Sequence, residues 1–293
     1  MSAAATWNTR AAVDVISLLK PRITLLTLIT AGAGMHLAPG TLNWPLVLRA
    51  LFGIGLLVGG ANALNMFLER DTDLLMKRTE TRPLPGKRLT PDFVIGFGSL
   101  LIGISIPLLT YWVNPLTGAF GALSLASYLL FYTPLKRKSS LAMWVGAIPG
   151  AMPPLLGWTA VTGRLGWPAL VLFAIIFLWQ IPHFLAIGIF RKEEYARAGI
   201  KIYTLEAGPA QIYRQILIYT AALLPVSVLL TFMKSAGRLY LAAALGLGLI
   251  FFGYAWLGFR RQVLAEWARR LFLISLIYLT GLFLMLFVDG GSA

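Results

Sequence analysis

Residues 44–73 read WPLVLRALFGIGLLVGGANALNMFL and then ERDTD. The first 25 carry a single charge, Arg49, and a helix of that length, rising about 1.5 Å per residue, outreaches a hydrocarbon core of about 30 Å. The last five bring three acids and an arginine, so the segment leaves the apolar phase abruptly after Leu68. The fold is therefore read from a membrane-spanning helix that ends in a carboxylate cluster.

The same test, applied outward, finds eight more apolar runs: Ile23–Ala38, Phe93–Val113, Leu116–Tyr132, Leu141–Val161, Trp167–Phe190, Ile216–Met233, Leu239–Phe259 and Leu271–Val288. The composition agrees. Of 293 residues, 58% are hydrophobic and 12% charged, with a mean hydropathy of +0.77, whereas soluble domains are roughly half apolar and a quarter charged. A water-soluble globule is excluded. The absence of cysteine also excludes disulfides, thiolate zinc sites, iron–sulfur clusters and a cysteine nucleophile.

The net charge is +14, from 25 Lys and Arg against 11 Asp and Glu. Binding to nucleic acid needs such an excess on one folded face. Here it lies between apolar runs, where positive charge orients membrane proteins. Alternating the sides of nine spans puts 21 basic residues with the N-terminus, Arg261 among them. Only Arg49, Arg164, Lys234 and Arg238 fall opposite. The expectation is a multi-pass protein of a cell (inner) membrane, held in the lipid bilayer without a nucleic-acid partner, its N-terminus cytoplasmic and its C-terminus external. Residues 1–20 lack a signal peptide's basic start and apolar centre and carry Asp14. They read as a cytoplasmic lead-in to a single transmembrane domain over 21–293. Trp44, Trp112, Tyr132, Trp158, Trp167 and Tyr240 stand near span ends, as interfacial anchors do.

Asn65, Glu69 and Asp73 recur every four residues, so they share roughly 80° of arc on one helical face, with Lys77, Arg78 and Arg82 beyond them. An amide and two carboxylates so placed suit a hard cation that keeps several waters and bridges to phosphate, as Mg²⁺ does. The adjoining cations suit a departing diphosphate. The competing reading is a helix end whose acids pair with Lys77 and Arg70. Acids there face the unfavourable end of the helix dipole, and ionisable residues at membrane depth are functional candidates, which favours the metal. Asp71 points elsewhere and is expected in solvent.

Tyr132-Thr133-Pro134-Leu135-Lys136-Arg137-Lys138 closes the fourth span, and three basic residues there are what the topology rule alone predicts. The fifth span holds Gly146, Pro149, Gly150, Pro153, Pro154 and Gly157. That density fits either a broken helix lining a cavity or close helix packing. Trp179-Gln180-Ile181-Pro182-His183-Phe184 ends the sixth, where His183 is either a hydrogen-bonded core residue or faces a cavity with Gln180; His36 reads as interfacial. A transporter places its polar groups near the bilayer midplane. These gather at one membrane face, which favours an enzyme whose charged reactant enters from the cytoplasm.

In order, these motifs resemble the membrane prenyltransferase superfamily typified by the 4-hydroxybenzoate prenyltransferases, and within it look most like the haem-farnesylating branch. The resemblance runs from about Leu18 to Gly199. It rests on Lys20-Pro21-Arg22, on Asn65-x3-Glu69-x3-Asp73 with Lys77-Arg78-Thr79 and Arg82-Pro83, on Tyr132 to Arg137, on Gly150-Ala151-Met152-Pro153-Pro154 with Gly157-Trp158, and on Trp179 to Phe184. It implies an all-α polytopic membrane protein of nine helices around a central cavity open to the cytoplasm. The implied reaction moves farnesyl from farnesyl diphosphate to a vinyl group of haem B, giving haem O, and allows for a haem-handling partner protein. Asn65, Glu69 and Asp73 are implied to hold Mg²⁺ and to act in catalysis with Lys77 and His183. Arg22, Arg78, Arg82, Tyr132, Lys136, Arg137, Gln180 and Glu194 are implied to bind substrate, with Gln180 and His183 facing the porphyrin.

The chain departs from the pattern at four places: Glu69 for the usual Asp, Ala142 for Asn, Glu194-Tyr195 for Asp-Tyr, and Ile200-Lys201-Ile202 for Ile-Pro-Met. These surround the acceptor side. An aromatic quinone precursor or another tetrapyrrole therefore competes as acceptor, and a transporter or inactive relative is the more distant reading.

Overall fold

A computed structural model describes residues 9–260 and 265–291. The first eight residues of the expected lead-in, and Arg261, lie outside the described residues. The remainder of the lead-in forms helix α1 (Thr9–Leu18). There follow α2 (Pro21–Leu37), α3 (Trp44–Asp73), α4 (Pro91–Val113), α5 (Pro115–Leu135), α6 (Ala142–Thr162), α7 (Trp167–Phe190), the short α8 (Lys192–Arg197) and α9 (Tyr203–Glu206), then α10 (Pro209–Phe232), α11 (Arg238–Arg260) and α12 (Ala265–Asp289).

Caps and prolines set where the helices start. The side chains of Asn43, Thr90 and Asn114 accept hydrogen bonds from the backbone N–H groups of Leu46, Phe93 and Thr117 at 3.3, 3.3 and 2.9 Å. Proline stands in the first turn of each of these helices, as it does in α2, α7 and α10. There its missing N–H costs nothing and its φ suits a helix.

Seven of the described helices, α3, α4, α5, α7, α10, α11 and α12, are long and apolar enough to cross a membrane. The protein is an all-α, multi-pass membrane protein. The other two expected spans are helices of 17 and 21 residues, α2 and α6. α2 is a turn short of a full crossing, and three prolines and three glycines dilute the apolarity of α6. At 30 residues α3 is about 45 Å long. It therefore projects past the hydrocarbon by some three turns, and those turns carry Asn65, Glu69 and Asp73.

Helices α3 and α4, α6 and α7, α10 and α11, and α11 and α12 pack as neighbours in chain order, while α2 lies on α6, and α10 and α12 both lie on α7. With lipid on the outside, such contacts depend on close packing rather than on exclusion of water. At the α2–α6 crossing a Cβ on Gly157 would lie 1.9 Å from the Ala31 carbonyl oxygen, and one on Gly34 would lie 2.0 Å from that of Pro154. α6 runs unbroken through Pro149, Pro153 and Pro154. The two readings of its glycines and prolines thus divide along its length, with packing at Gly157 and a cavity wall at Gly146 to Pro153.

Trp44, Trp112 and Trp167 are exposed at helix ends, as anchors should be. Trp158 and Tyr240 are not anchors. Both turn into the bundle, where Trp158 is buried and the Tyr240 hydroxyl donates to the Ser227 carbonyl at 2.9 Å. Tyr132 is half-buried and faces inward as well.

Candidate active site

A cavity of about 530 Å³ opens among α2, α3, α5, α6 and α7 and the segments that follow α5 and α7, within the usual size of a small-molecule site. Followed along α3, its wall changes from Leu57, Val58 and Ala61 to Asn62, Asn65, Glu69 and Asp73. One end is apolar and the other is charged. At the charged end Lys20, Arg78, Arg82, Lys136 and Lys201 face two carboxylates.

The α3 row is built as its spacing predicts, and other segments complete it. Asn65 accepts from Lys20 Nζ and donates to Thr133 Oγ1, each at 3.2 Å. Glu69 Oε1 pairs with Lys136 Nζ at 3.0 Å, and Asp73 Oδ2 with Arg82 Nη1 at 2.7 Å. The competing pairing with Lys77 and Arg70 does not form among the described residues; Arg70 contacts the exposed Asp71 at 3.7 Å instead. Asp73 is only 1% exposed, and its Oδ1 is buried with no hydrogen-bond partner among the described residues. That orphaned carboxylate oxygen, with Glu69 and the Asn65 amide along the same face, fits a divalent cation. Among the described residues no three His, Cys, Asp or Glu side chains group as a metal cage; a cation at two carboxylates and an amide would draw its remaining ligands from water and phosphate, as Mg²⁺ prefers.

Lys20 precedes Pro21 in a left-handed conformation, φ 48°. This aims its side chain at Asn65, while Arg22, two residues on, is exposed and off the cavity. Burial, and then the nearby Arg82 cation, lower the Lys20 pKa to about 8. For Lys136 burial acts in the same direction, but Tyr132 and the Glu69 carboxylate outweigh it and raise the pKa above its ordinary value.

Arg78, Arg82, Tyr132, Lys136 and Gln180 line the cavity with the α3 row. Tyr132 and Tyr128 stack at 5.5 Å on a π-helical stretch, Ser127–Tyr132, an irregularity often found at functional sites. The other expected residues stand off it. Lys77 is exposed, and Arg137 turns outward and donates to Thr72 Oγ1. Glu194 accepts from the Arg78 backbone N–H at 3.4 Å and from Arg191 at 3.1 Å, bracing the segment that carries Arg78. His183 does not face the cavity: Nδ1 lies 2.8 Å from Ser275 Oγ, and the ring packs between Trp179 and Phe272. Three residues past Gln180, it is turned by roughly 60° of helical arc towards α12, and Phe184 takes the cavity side instead.

Sequence reasoning passed over Asn62, Tyr128 and Tyr203, and noted Lys20 only as part of a motif and Tyr195 and Lys201 only within departures. Asn62 was within reach, since it lies one turn before Asn65 on the same face.

Gln180 Nε2 donates to the carbonyls of Ala147 and Ile176 at 3.0 and 3.2 Å, and a Cβ on Gly150 would lie 2.1 Å from its Oε1. Gly150→Ala is therefore expected to dislodge the amide into the cavity. Activity should fall about tenfold as the amide intrudes on the cavity, and the melting temperature should drop by a few degrees for the roughly 1 kcal/mol of buried hydrogen bonding lost. Steady-state rates beside a thermal melt check this.

The UbiA prenyltransferase family model matches residues 27–277. A relative from Myxococcus xanthus named protoheme IX farnesyltransferase is 49% identical over 276 residues, 94% of each chain. One of the same name from Sorangium cellulosum is 53% identical over 241 residues, 82% of this chain and 86% of its own. Among solved structures, a digeranylgeranylglyceryl phosphate synthase superposes with a TM-score of 0.82 at 15% identity, covering 94% of this chain and 97% of its own. A UbiA homologue from Archaeoglobus fulgidus bound to DMAPP and Mg²⁺ superposes at 0.70 and 13%, covering 93% and 99%. At such identities the structures speak for the fold alone.

Proposed function

This chain belongs to the UbiA prenyltransferase family, and on that premise we propose that it transfers farnesyl from farnesyl diphosphate to a vinyl group of haem B, yielding haem O. The observation that carries the reading is the cavity itself, with an acid and amide row facing cations at one end and an apolar wall beyond. Such a cavity holds a diphosphate at its mouth and a hydrocarbon chain in its depth.

The bond between farnesyl C1 and the diphosphate oxygen breaks, and the leaving group takes the electron pair. Asn65, Glu69 and Asp73 would hold Mg²⁺, which when bound would neutralise the charge of the departing diphosphate. Arg82, Lys136, Lys20 and Arg78 stabilise the same developing charge from the other side. The vinyl π electrons form the new carbon–carbon bond to C1. Water adds to the porphyrin-side carbon and loses a proton, completing the hydroxyethylfarnesyl group. The apolar wall from Leu57 to Leu156 keeps bulk water from the allylic cation until then. The charged end lies on the cytoplasmic side of a cell membrane, where positive residues are retained.

Expressed in a host without its own haem O synthase, the chain should make haem O detectable by mass spectrometry of extracted haems. In isolated membranes EDTA should abolish the reaction and added Mg²⁺ restore it. Farnesylation of a quinone precursor but not of haem would overturn the acceptor, and substrate flux without a covalent product would overturn the reaction.

A further inference from the structure

Three of the cavity's five cations are engaged by the α3 row: Lys20 by Asn65, Lys136 by Glu69 and Arg82 by Asp73. Arg78 belongs to the proposed diphosphate set. Lys201 has no such role, and among the described residues its ammonium has neither an ion pair nor a hydrogen bond.

Its backbone is nonetheless held in place. The Lys201 N–H donates to the Lys136 carbonyl at 3.2 Å. Just before it, Ala198 and Ile200 are buried against Met76, with Tyr195 and, just after it, Ile202 packed on them. Ile200 takes the inner side of this near-extended segment, so Lys201 points the other way, into the cavity mouth. The wall beside it is largely aromatic. It is formed by Tyr195, Tyr203, Phe184 and Gly188, where a Cβ would lie 2.7 Å from Thr204 Oγ1. An aromatic wall with a cation at its rim complements a ring system that carries an acidic group at its edge.

We propose that Lys201 is a specificity-determining residue that pairs its ammonium with a carboxylate on the edge of the acceptor, which for haem B is a propionate. The assignment rests on the function proposed above.

With membranes of the full chain, Lys201→Met is expected to raise KM for haem B about tenfold and to leave KM for farnesyl diphosphate within about twofold. Lys201→Arg should stay near the parent, because the cation is kept. On the dimethyl ester of haem B, which has no free carboxylate, the parent and Lys201→Met should agree within about twofold. An unchanged KM for haem B overturns the assignment, as does an equal loss on the diester. So does a rise in KM for farnesyl diphosphate, which moves Lys201 to the diphosphate. If the parent makes no farnesylated haem at all, the proposed function fails and the assignment falls with it.

Discussion

Asp73→Asn should lower haem O formation by at least about 10³-fold, equivalent to about 4 kcal/mol of transition-state stabilisation. The change is one atom, so shape is kept and charge removed. Both oxygens of Asp73 matter: Oδ2 meets Arg82 at 2.7 Å, and Oδ1 is buried without a partner. An amide offers the metal a weaker ligand and leaves Arg82 without its counter-ion where water is scarce, so the row loses affinity for Mg²⁺ while the cation facing it loses its orientation. Two residues away, Asp71 is exposed and only loosely paired with Arg70, and Asp71→Asn should stay within about twofold of the parent. Rates at saturating Mg²⁺ for both variants, with a melt to verify folding, test the site. Parent-like activity in Asp73→Asn would remove Asp73 from it.

Gly157→Ala should lower the melting temperature by about 6–12 °C. Its Cβ would stand 1.9 Å from the Ala31 carbonyl oxygen and 3.1 Å from the Met35 nitrogen, so no side chain can rotate away and α2 itself has to move. Overpacking against backbone costs about 3 kcal/mol, and each kcal/mol is worth about 2–4 °C in a chain of this size. Displacing α2 also disturbs Ile23 and Thr27, which line the cavity, so activity should fall with stability. On α4 a Cβ at Gly103 meets nothing within 4 Å, and Gly103→Ala should be neutral or slightly stabilising. With no cysteine for a thiol dye but nine tryptophans, intrinsic fluorescence during heating is a suitable readout. Equal melting of the two variants would show that α2 and α6 do not need this close approach.

Much of this was legible in the residues. Polar cap and proline mark the helix starts at Asn43, Thr90 and Asn114, and apolar length marks most of the spans. The row Asn65, Glu69, Asp73 follows from spacing alone, because helical periodicity is a local property. Partners across the fold were not legible. Lys136 took Glu69 because the ends of α3 and α5 meet, and Arg82 took Asp73 because the segment after α3 folds back over the helix end. Trp158 and Tyr240 looked like anchors by depth, yet depth does not say which way a helix face turns. The same ambiguity misplaced His183.

What the sequence by itself determined about this protein is what acts along one helix: nine apolar runs, the sorting of basic residues to alternate loops between them, and an acid face spaced for a hard cation. Only the tertiary structure decided that Lys20 and not Arg22 reaches that face, that His183 braces α12 rather than facing the cavity, and that Lys201 stands at the mouth with its ammonium unpaired among the described residues. Those outcomes depend on how helices rotate about their own axes and cross, which is set by close backbone approaches such as Gly157 on Ala31 and by ion pairs between residues far apart in the chain. Neither leaves a periodic trace in the order of the amino acids.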